Sequence, residues 1–537
     1  MLTNKLINQV TENYSTTGQV QEGDMSLIKN LGFKTVVCFR PNSEDISSQP
    51  DHASLKIAAQ KLNLNFINIP IIPGKITSDN INQFYEVLNN TSDPVLGYCR
   101  TGNRAKAIFE AVKVKQMESN QNATGAYNWK EVFDVVVVGG GSAGIGVTAS
   151  LLKRRKSLSI AVIEPSENHY YQPSWTLVGG GTFNAKDSVR TTKSVMPKQA
   201  QWIQSYVEKF DPDNNQLTLN NGNTVKYHQL IVCPGLRLAW EKIEGLQNTI
   251  GKNGVTSNYD INHAQYTWEL VKNLSDGKAI FTQPPMPIKC AGAPQKAMYL
   301  SCSHWEKNDT LRHIEVEFDT ATPSLFGVAD FIPPLMEYIK RYGIDLIFSS
   351  NLVKVDGQNK IAWFEIKQAD GKTKTIAKKF SMLHVVPPQT APKFIQTSKL
   401  ADSSGWLDVN QVTLQHSHYK NIFGLGDVIN SPNAKTVAAA RKQIVVVANN
   451  LIASKETMEM TSRYDGYGAC PLTVEHGKVV LAEFGFGGKL LPTFPFLNPP
   501  VASRFSWFLK VSVMPWLYWN LMLKGIEWLA KPTSDKG

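Results

Sequence analysis

Cysteine is scarce in this chain: six in 537 residues, at positions 38, 99, 233, 290, 302 and 470, with no CxxC pair among them. That scatter excludes a dense disulfide framework and a zinc-type spacing, and it describes thiols kept free in a reducing compartment. Long hydrophobic runs are missing too, since no stretch approaches the ~18 uncharged apolar residues of a spanning helix. The opening MLTNKLINQVTEN has no apolar signal-type core. Export is therefore not expected, and a cytoplasmic setting, peripheral on the inner face of a membrane, is. Charge of one sign does not dominate: 56 Lys and Arg face 45 Asp and Glu. The basic surplus suits an anionic partner or an ordinary surface, and without a basic stripe or binding module it does not indicate nucleic acid. Internal repeats and low-complexity tracts are absent.

What is present is a chain too long for one domain. Residues 1–116 alternate short strands (KTVVCF, DPVLGY) with amphipathic helical stretches. The polar segment 117–131 reads as a linker. Residues 132–494 carry long βαβ patterns, and 495–537 form a tail rich in Trp and Phe. The expected class is α/β, with a small first domain and amphipathic helices in the tail.

The strongest motif is the apolar strand Val135–Val138 followed at once by Gly139-x-Gly141-x-x-Gly144 and a helical run. Gly139 permits the turn, Gly141 lets backbone approach a pyrophosphate, and Gly144 allows the helix to pack on the strand. Ser142 and Ala143 open that helix. A second strand ends in Glu164, placed to accept ribose hydroxyls. A late Gly426-Asp427 and the return segment LIVCPGLRLAW (230–240) follow in the order expected of an FAD domain. A nicotinamide domain would need a second glycine fingerprint near 270–310. There the strand AIFTQPP leads instead into MPIKCAGAPQKAMYLSC, which puts Cys290 where an electron donor would sit.

The runs IKCAGAPQKAMYLSCSHW (288–305), EPSENHYYQPSWTLVGGG (164–181) and YDGYGACPLTVEHGKVVLAEF (464–484) resemble the sulfide:quinone oxidoreductases of mitochondrial and related bacterial type. The resemblance implies two tandem Rossmann-like dinucleotide-binding domains of the disulfide-reductase flavoprotein type, with FAD lined by Ser142, Ala143, Glu164, Gln172, Val207 and Asp427 and with Cys290 carrying the sulfur. Sulfide, a membrane quinone and a small sulfur acceptor such as glutathione or sulfite are the implied partners. A thiolate beside Lys289 and Lys296 suits that chemistry, because cations lower a thiol's pKa. The same resemblance implies a second redox cysteine just after Gly426-Asp427, where this chain has Val428 and Ile429. Cys302, Cys233 and Cys470 stay open as partners, with core packing favoured for Cys233, as does direct transfer from Cys290 to an incoming thiol. An NAD(P)H-driven quinone reductase or a redox sensor is the alternative. Tyr467 and Phe484 are expected along the quinone path.

Near the start, GYCRTGNRA (97–105) places Cys99 and Arg104 in a strand-to-helix loop. Such a loop is an anion cradle of inward N–H groups, helix dipole and guanidinium. Tyrosine phosphatases need Cys-x5-Arg; this Cys-x4-Arg resembles the rhodanese form, on a scaffold resembling the small phosphatase-like family. Sulfur transfer through Cys99 is expected, with Cys-dependent phosphatase activity the alternative. The tail segment 501–532, with four tryptophans and Arg504, Lys510, Lys524 and Lys531, has the composition of interfacial helices. Pro515 is expected to split it in two.

Overall fold

The computed structural model describes residues 7–42, 44–45, 49–91, 93–123, 130–368, 370–432, 434–494, 498–530 and 532–534, without the side chains of 114–123. Lys531 and residues 124–129 of the expected linker lie outside that set. The chain divides into two units, Met1–Trp129 and Lys130–Gly537.

The first unit is a five-stranded sheet with helices. Its strands are β1 (Asn8–Gln9), β2 (Tyr14–Thr17), β3 (Thr35–Cys38), β4 (Asn65–Asn68) and β5 (Val95–Tyr98), in spatial order β1-β2-β5-β3-β4. Strand β5 is central and parallel to both neighbours. Its short run VLGY is buried at every residue, as a strand covered on both faces must be. Tyr14, Phe84 and Phe109 pack on one face and Val36, Leu55 and Leu96 on the other. Helices α1 (Met25–Asn30), α2 (His52–Gln60), α3 (Ser78–Asn89) and α4 (Asn103–Ala123) complete the unit. Helix α4 runs through residues 117–123, where the sequence suggested linker. Helix propensity of Lys, Gln, Met and Glu carries it on without an apolar stripe.

The second unit holds one mixed sheet and one parallel sheet. In the first, β6 (Phe133–Val138), β7 (Ile160–Ile163), β8 (Gln201–Ile203), β9 (Val207–Asp211), β10 (Gln216–Leu219) and β11 (Thr224–Val232) lie in the order β8-β7-β6-β11-β10-β9. In the second, β12 (Val255–Thr256), β13 (Gly277–Gln283), β14 (Ile314–Thr320), β15 (Asp345–Phe348) and β16 (Met382–His384) lie in the order β12-β16-β13-β14-β15, every pairing parallel. Strand β17 (Ile422–Gly424) returns to the first sheet beside β11. A hairpin of β18 (Gly468–Glu475) and β19 (Lys478–Phe484) packs on the second sheet's helix.

Register explains why distant motifs meet. Val138 pairs with Ile163 and with Val232, and Val232 pairs with Gly424. The glycine loop, Glu164, Cys233 and Gly426-Asp427 thus all leave the sheet at one carboxyl edge, where open α/β sheets bind ligands. Helix α5 (Ser142–Arg154) follows the glycine loop, α6 (Ala293–Lys307) follows the Cys290 loop, and α7 (Val437–Lys455) follows Asp427. In the tail, α8 (Arg504–Phe508) and α9 (Met514–Asn520) are joined through a π turn, Leu509–Val513. Pro515 therefore does not split the tail. It sits in the first turn after the π segment, where its missing N–H costs little. No described helix is long and apolar enough to cross a membrane.

Candidate active site

The glycine loop is closed behind and open in front. A Cβ on Gly139 would meet the Cys233 carbonyl at 2.5 Å, and one on Gly144 would collide with the Gly139 carbonyl; beside Gly141 nothing lies within 4 Å. Gly139, at φ +106°, makes the turn. Glu164 is held ready: Gly140 N donates to its Oε2 at 2.7 Å and Ser166 N to its Oε1 at 2.8 Å. Cys233 packs the loop from behind, its thiol donating to Gly139 O at 3.6 Å. Burial pushes that thiol's pKa up, so the packing role expected of it holds. Ala143 is buried beside Gly426, and Val207 is buried at the start of β9.

A cavity of 260 Å³ opens beyond the carboxyl edge. Gln172, Lys289, Cys290, Lys296 and Asp427 line it, with Leu517, Leu521, Ile526 and Trp528 from the tail. Buried polar atoms of Trp175 (Nε1), Thr176 (Oγ1) and the Asn258 amide also line it and make no hydrogen bond within the protein. An open phosphate cradle, a ribose-binding carboxylate and unpaired polar edges on an otherwise apolar cavity fit FAD. Gly139–Gly144 and Glu164 would hold its phosphates and ribose. Helix α5, capped by Gly141, points its N-terminus at that cradle.

Cys290 occupies the left-handed region at φ +49°, a conformation glycine usually fills. Its N donates to Lys435 O at 2.8 Å and its carbonyl accepts from Ala293 N at 2.7 Å, which fixes the loop. Two contacts define its sulfur: Lys296 Nζ at 3.0 Å and Cys470 Sγ at 3.6 Å. Cys470 arrives from β18, paired across the hairpin with Ala482. Gly292 makes the approach possible, since a Cβ there would stand 2.5 Å from Cys470 Sγ. The hydrogen bond from Cys470, then Lys296, holds the Cys290 thiol well below its ordinary range. Its partner is pushed the other way, by the Cys290 sulfur first and burial second. The two thiols are thus pulled in opposite directions, and Lys296 is stabilised in its charged form by the sulfurs despite burial.

The partner left open by the sequence is thus Cys470. Val428 and Ile429, where a thiol was expected, are buried core, and Cys302 lies inside α6 with its thiol pushed up by burial. Lys289 does not touch the sulfur. Its Nζ donates to Gln172 Oε1 at 2.7 Å and lies over the Trp175 and Tyr259 rings, and burial lowers it to about 8. Lys510, which composition assigns to the interfacial tail, is instead buried by the π turn in the wall of the cavity that Cys290 also lines; burial, then Lys296, lowers it to about 7. Tyr467 lines the cavity, whereas Phe484 packs against Phe326 in the core.

The tail has two faces. Inward, Tyr518 Oη lies 2.7 Å from Ser142 Oγ and 2.6 Å from His169 Nε2, Glu527 pairs with Arg154 at 2.5 Å, and the Arg190 guanidinium covers Trp519 at 4.3 Å. Outward, Trp516 is 57%, Phe508 54% and Trp528 49% exposed.

In the first unit, Cys99 follows directly on β5 and Arg104 stands in the first turn of α4. Gly102 N donates to Cys99 Sγ at 3.1 Å, the inward N–H of a cradle. Arg104 is held by Ile71 O at 2.8 Å and by Glu44 at 2.8 Å, and Glu44 also takes Arg40 at 2.6 Å.

Residues 7–115 match the family model for the phosphatase-like domain of beta-lactamase hydrolase-like protein, and 133–281 match that for pyridine nucleotide-disulphide oxidoreductase. The chain is 38% identical over 424 residues to mitochondrial sulfide:quinone oxidoreductase of Mus musculus, covering 79% of this chain and 93% of that protein. It is 40% identical over 407 residues to the Dictyostelium discoideum protein of the same name, covering 75% and 88%. Among solved structures, the sulfide:quinone oxidoreductase of Aquifex aeolicus shares the fold at a TM-score of 0.62 and 19% identity, over 74% of this chain and 92% of that one.

Proposed function

Since the chain belongs to the sulfide:quinone oxidoreductase family, we propose that its second unit oxidises sulfide at the Cys290–Cys470 pair and delivers the electrons to a membrane quinone. One observation carries the reading: two sulfurs 3.6 Å apart, one opening onto a cavity that reaches from Gln172 and Asp427 to the tail. Bound FAD supplies the two-electron acceptor that links the thiols to the quinone.

The cycle starts from a disulfide between the two cysteines. Hydrosulfide attacks one sulfur, forms a persulfide there and releases the other as thiolate. The more acidic thiol leaves more readily, so Cys290 departs as the thiolate held by Lys296, and the sulfane sulfur stays on Cys470. The sequence suggests that sulfur on Cys290; here we place it on Cys470, with Cys290 as the sulfur released. A small acceptor thiol or sulfite then takes the sulfur, and the dithiol closes again as its two electrons leave for the quinone. Ser142, Ala143, Glu164, Gln172 and Asp427 surround the cofactor in this scheme. The outward aromatics of the tail lay the cavity mouth on a lipid surface, peripherally and on the cytoplasmic face.

For the first unit we propose transfer of sulfane sulfur through Cys99, the six-residue loop from Cys99 to Arg104 being one residue shorter than a phosphate loop. The phosphatase-like family model supports the second reading, Cys-dependent phosphate hydrolysis. Anaerobic titration of the purified protein with sulfide, followed by a soluble quinone, tests the main reading. Flavin bleaching and recovery are expected, and bleaching by NADH but not by sulfide would sink it. Turnover of thiosulfate and cyanide against p-nitrophenyl phosphate separates the two readings of Cys99.

A further inference from the structure

Each quinone reduced takes up two protons with its two electrons, and the thiol chemistry above leaves their route unassigned. Glu483 lies on β19 directly opposite Ala469, the neighbour of Cys470. It is buried and lines the cavity onto which Cys290 opens. Tyr467 Oη donates to its Oε1 at 2.5 Å, the Thr493 hydroxyl donates to the same oxygen, and Thr493 N donates to Oε2 at 3.0 Å. A second cavity, of 140 Å³, meets the same carboxylate and continues past Asn498, Val501, Ser503 and Ser506. Val501 is exposed, and the two serine hydroxyls lie 2.8 Å apart. Glu483 is therefore part of the wall of both cavities, the second a largely apolar passage in which Asn498, Ser503 and Ser506 supply polar groups and Val501 reaches the surface.

We propose that Glu483 relays protons from solvent, by way of the second cavity, to the quinone oxygens. The inference rests on the quinone reading given above. The step balances: quinone takes two electrons derived from sulfide and two protons and becomes quinol. Each proton leaves the Glu483 carboxyl for a quinone oxygen and is replaced from solvent, so the carboxyl ends each turnover as it began. Tyr467 and Thr493 are positioning residues that aim the carboxylate. The charged groups around it are Lys442 and Arg441 of α7 and Asp465, which accepts a hydrogen bond from Tyr467 N at 3.0 Å. A carboxylate serving as a positioned acid contributes about 10²-fold or more to a proton-transfer step.

The test uses the full-length, flavin-loaded protein and its Glu483→Gln, Glu483→Asp and Tyr467→Phe variants in stopped flow. Bleaching by sulfide should proceed at the wild-type rate in all of them. Recovery with a soluble short-chain ubiquinone should fall on the order of 10²-fold in Glu483→Gln, with partial rescue in Glu483→Asp. Proton uptake on quinone addition, followed with an indicator dye, should slow in parallel, and the pH profile of recovery should flatten. Recovery in Glu483→Gln at the wild-type rate with an unchanged pH profile would overturn the proposal. If Glu483→Gln does not bind flavin, equal recovery in wild type, Glu483→Asp and Tyr467→Phe overturns it as well. Wild-type flavin that bleaches with sulfide but never recovers with quinone would instead sink the quinone reading itself.

Discussion

Cys290 and Cys470 are 180 residues apart in sequence, yet they sit within contact of one another and of a cation. Cys470→Ser should therefore stop flavin bleaching by sulfide, while Cys302→Ser should leave it intact; anaerobic spectra of the two variants decide this. The acidity of Cys290 has a defined sign. Its thiolate exists above its folded-state pKa, which is lowered, so iodoacetamide labelling should stay fast as pH falls from 9 through neutrality and slow only in acid. Lys296→Met should move the onset of labelling upward and cut the neutral-pH rate on the order of tenfold. Cys290 was legible from sequence because it replaces a phosphate cradle in a loop. Cys470 was not, because its role depends on a hairpin packing onto α6. The available signal was Gly292, a residue without a side chain two positions from a reactive thiol.

At the scale of elements, strand ends were the readable part. Gly139, Glu164 and Gly426-Asp427 each follow a short apolar run, and parallel register brings such ends to one edge. The tail was half legible. Its aromatic composition suggested a lipid-facing surface, but composition does not reveal that Tyr518, Trp519 and Glu527 face inward. Nor does proline placement reveal a π turn that carries the helix past Pro515. Gly525, at φ +64°, presses against Ala149 of α5, where a Cβ would come within 2.6 Å of backbone. Gly525→Ala should lift the tail from α5 and destabilise the unit by about 1–3 kcal/mol, read as a lower Tm. Removing residues from 496 onward should abolish sedimentation with anionic liposomes; retained binding would refute the lipid-facing role.

On the scale of the molecule, the two thiols proposed to handle sulfur belong to two compact units of one chain. On that proposal a persulfide formed in one would gain a tethered acceptor in the other, at an effective concentration that free partners lack. Cys99→Ser should leave flavin bleaching and quinone reduction unchanged but reduce the yield of persulfide delivered to cyanide, measured as thiocyanate. Equal yields would separate the two activities. Division of the chain was visible in its change of texture near residue 130, whereas the continuation of α4 to Ala123 was hidden by a polar sequence without apolar periodicity.

The hydrogen bond between Ser142 and Tyr518 spans 376 positions, and this imposes an order in time. During synthesis the phosphate-binding helix emerges and can fold long before the hydroxyl that will lie against its first turn exists. Until then the cradle has an open doorway, and the helix that carries Tyr518 is the one that later shuts it. Loading precedes closure, so a ribosome-bound chain halted before Trp516 should exchange flavin freely, and the finished chain should release it slowly.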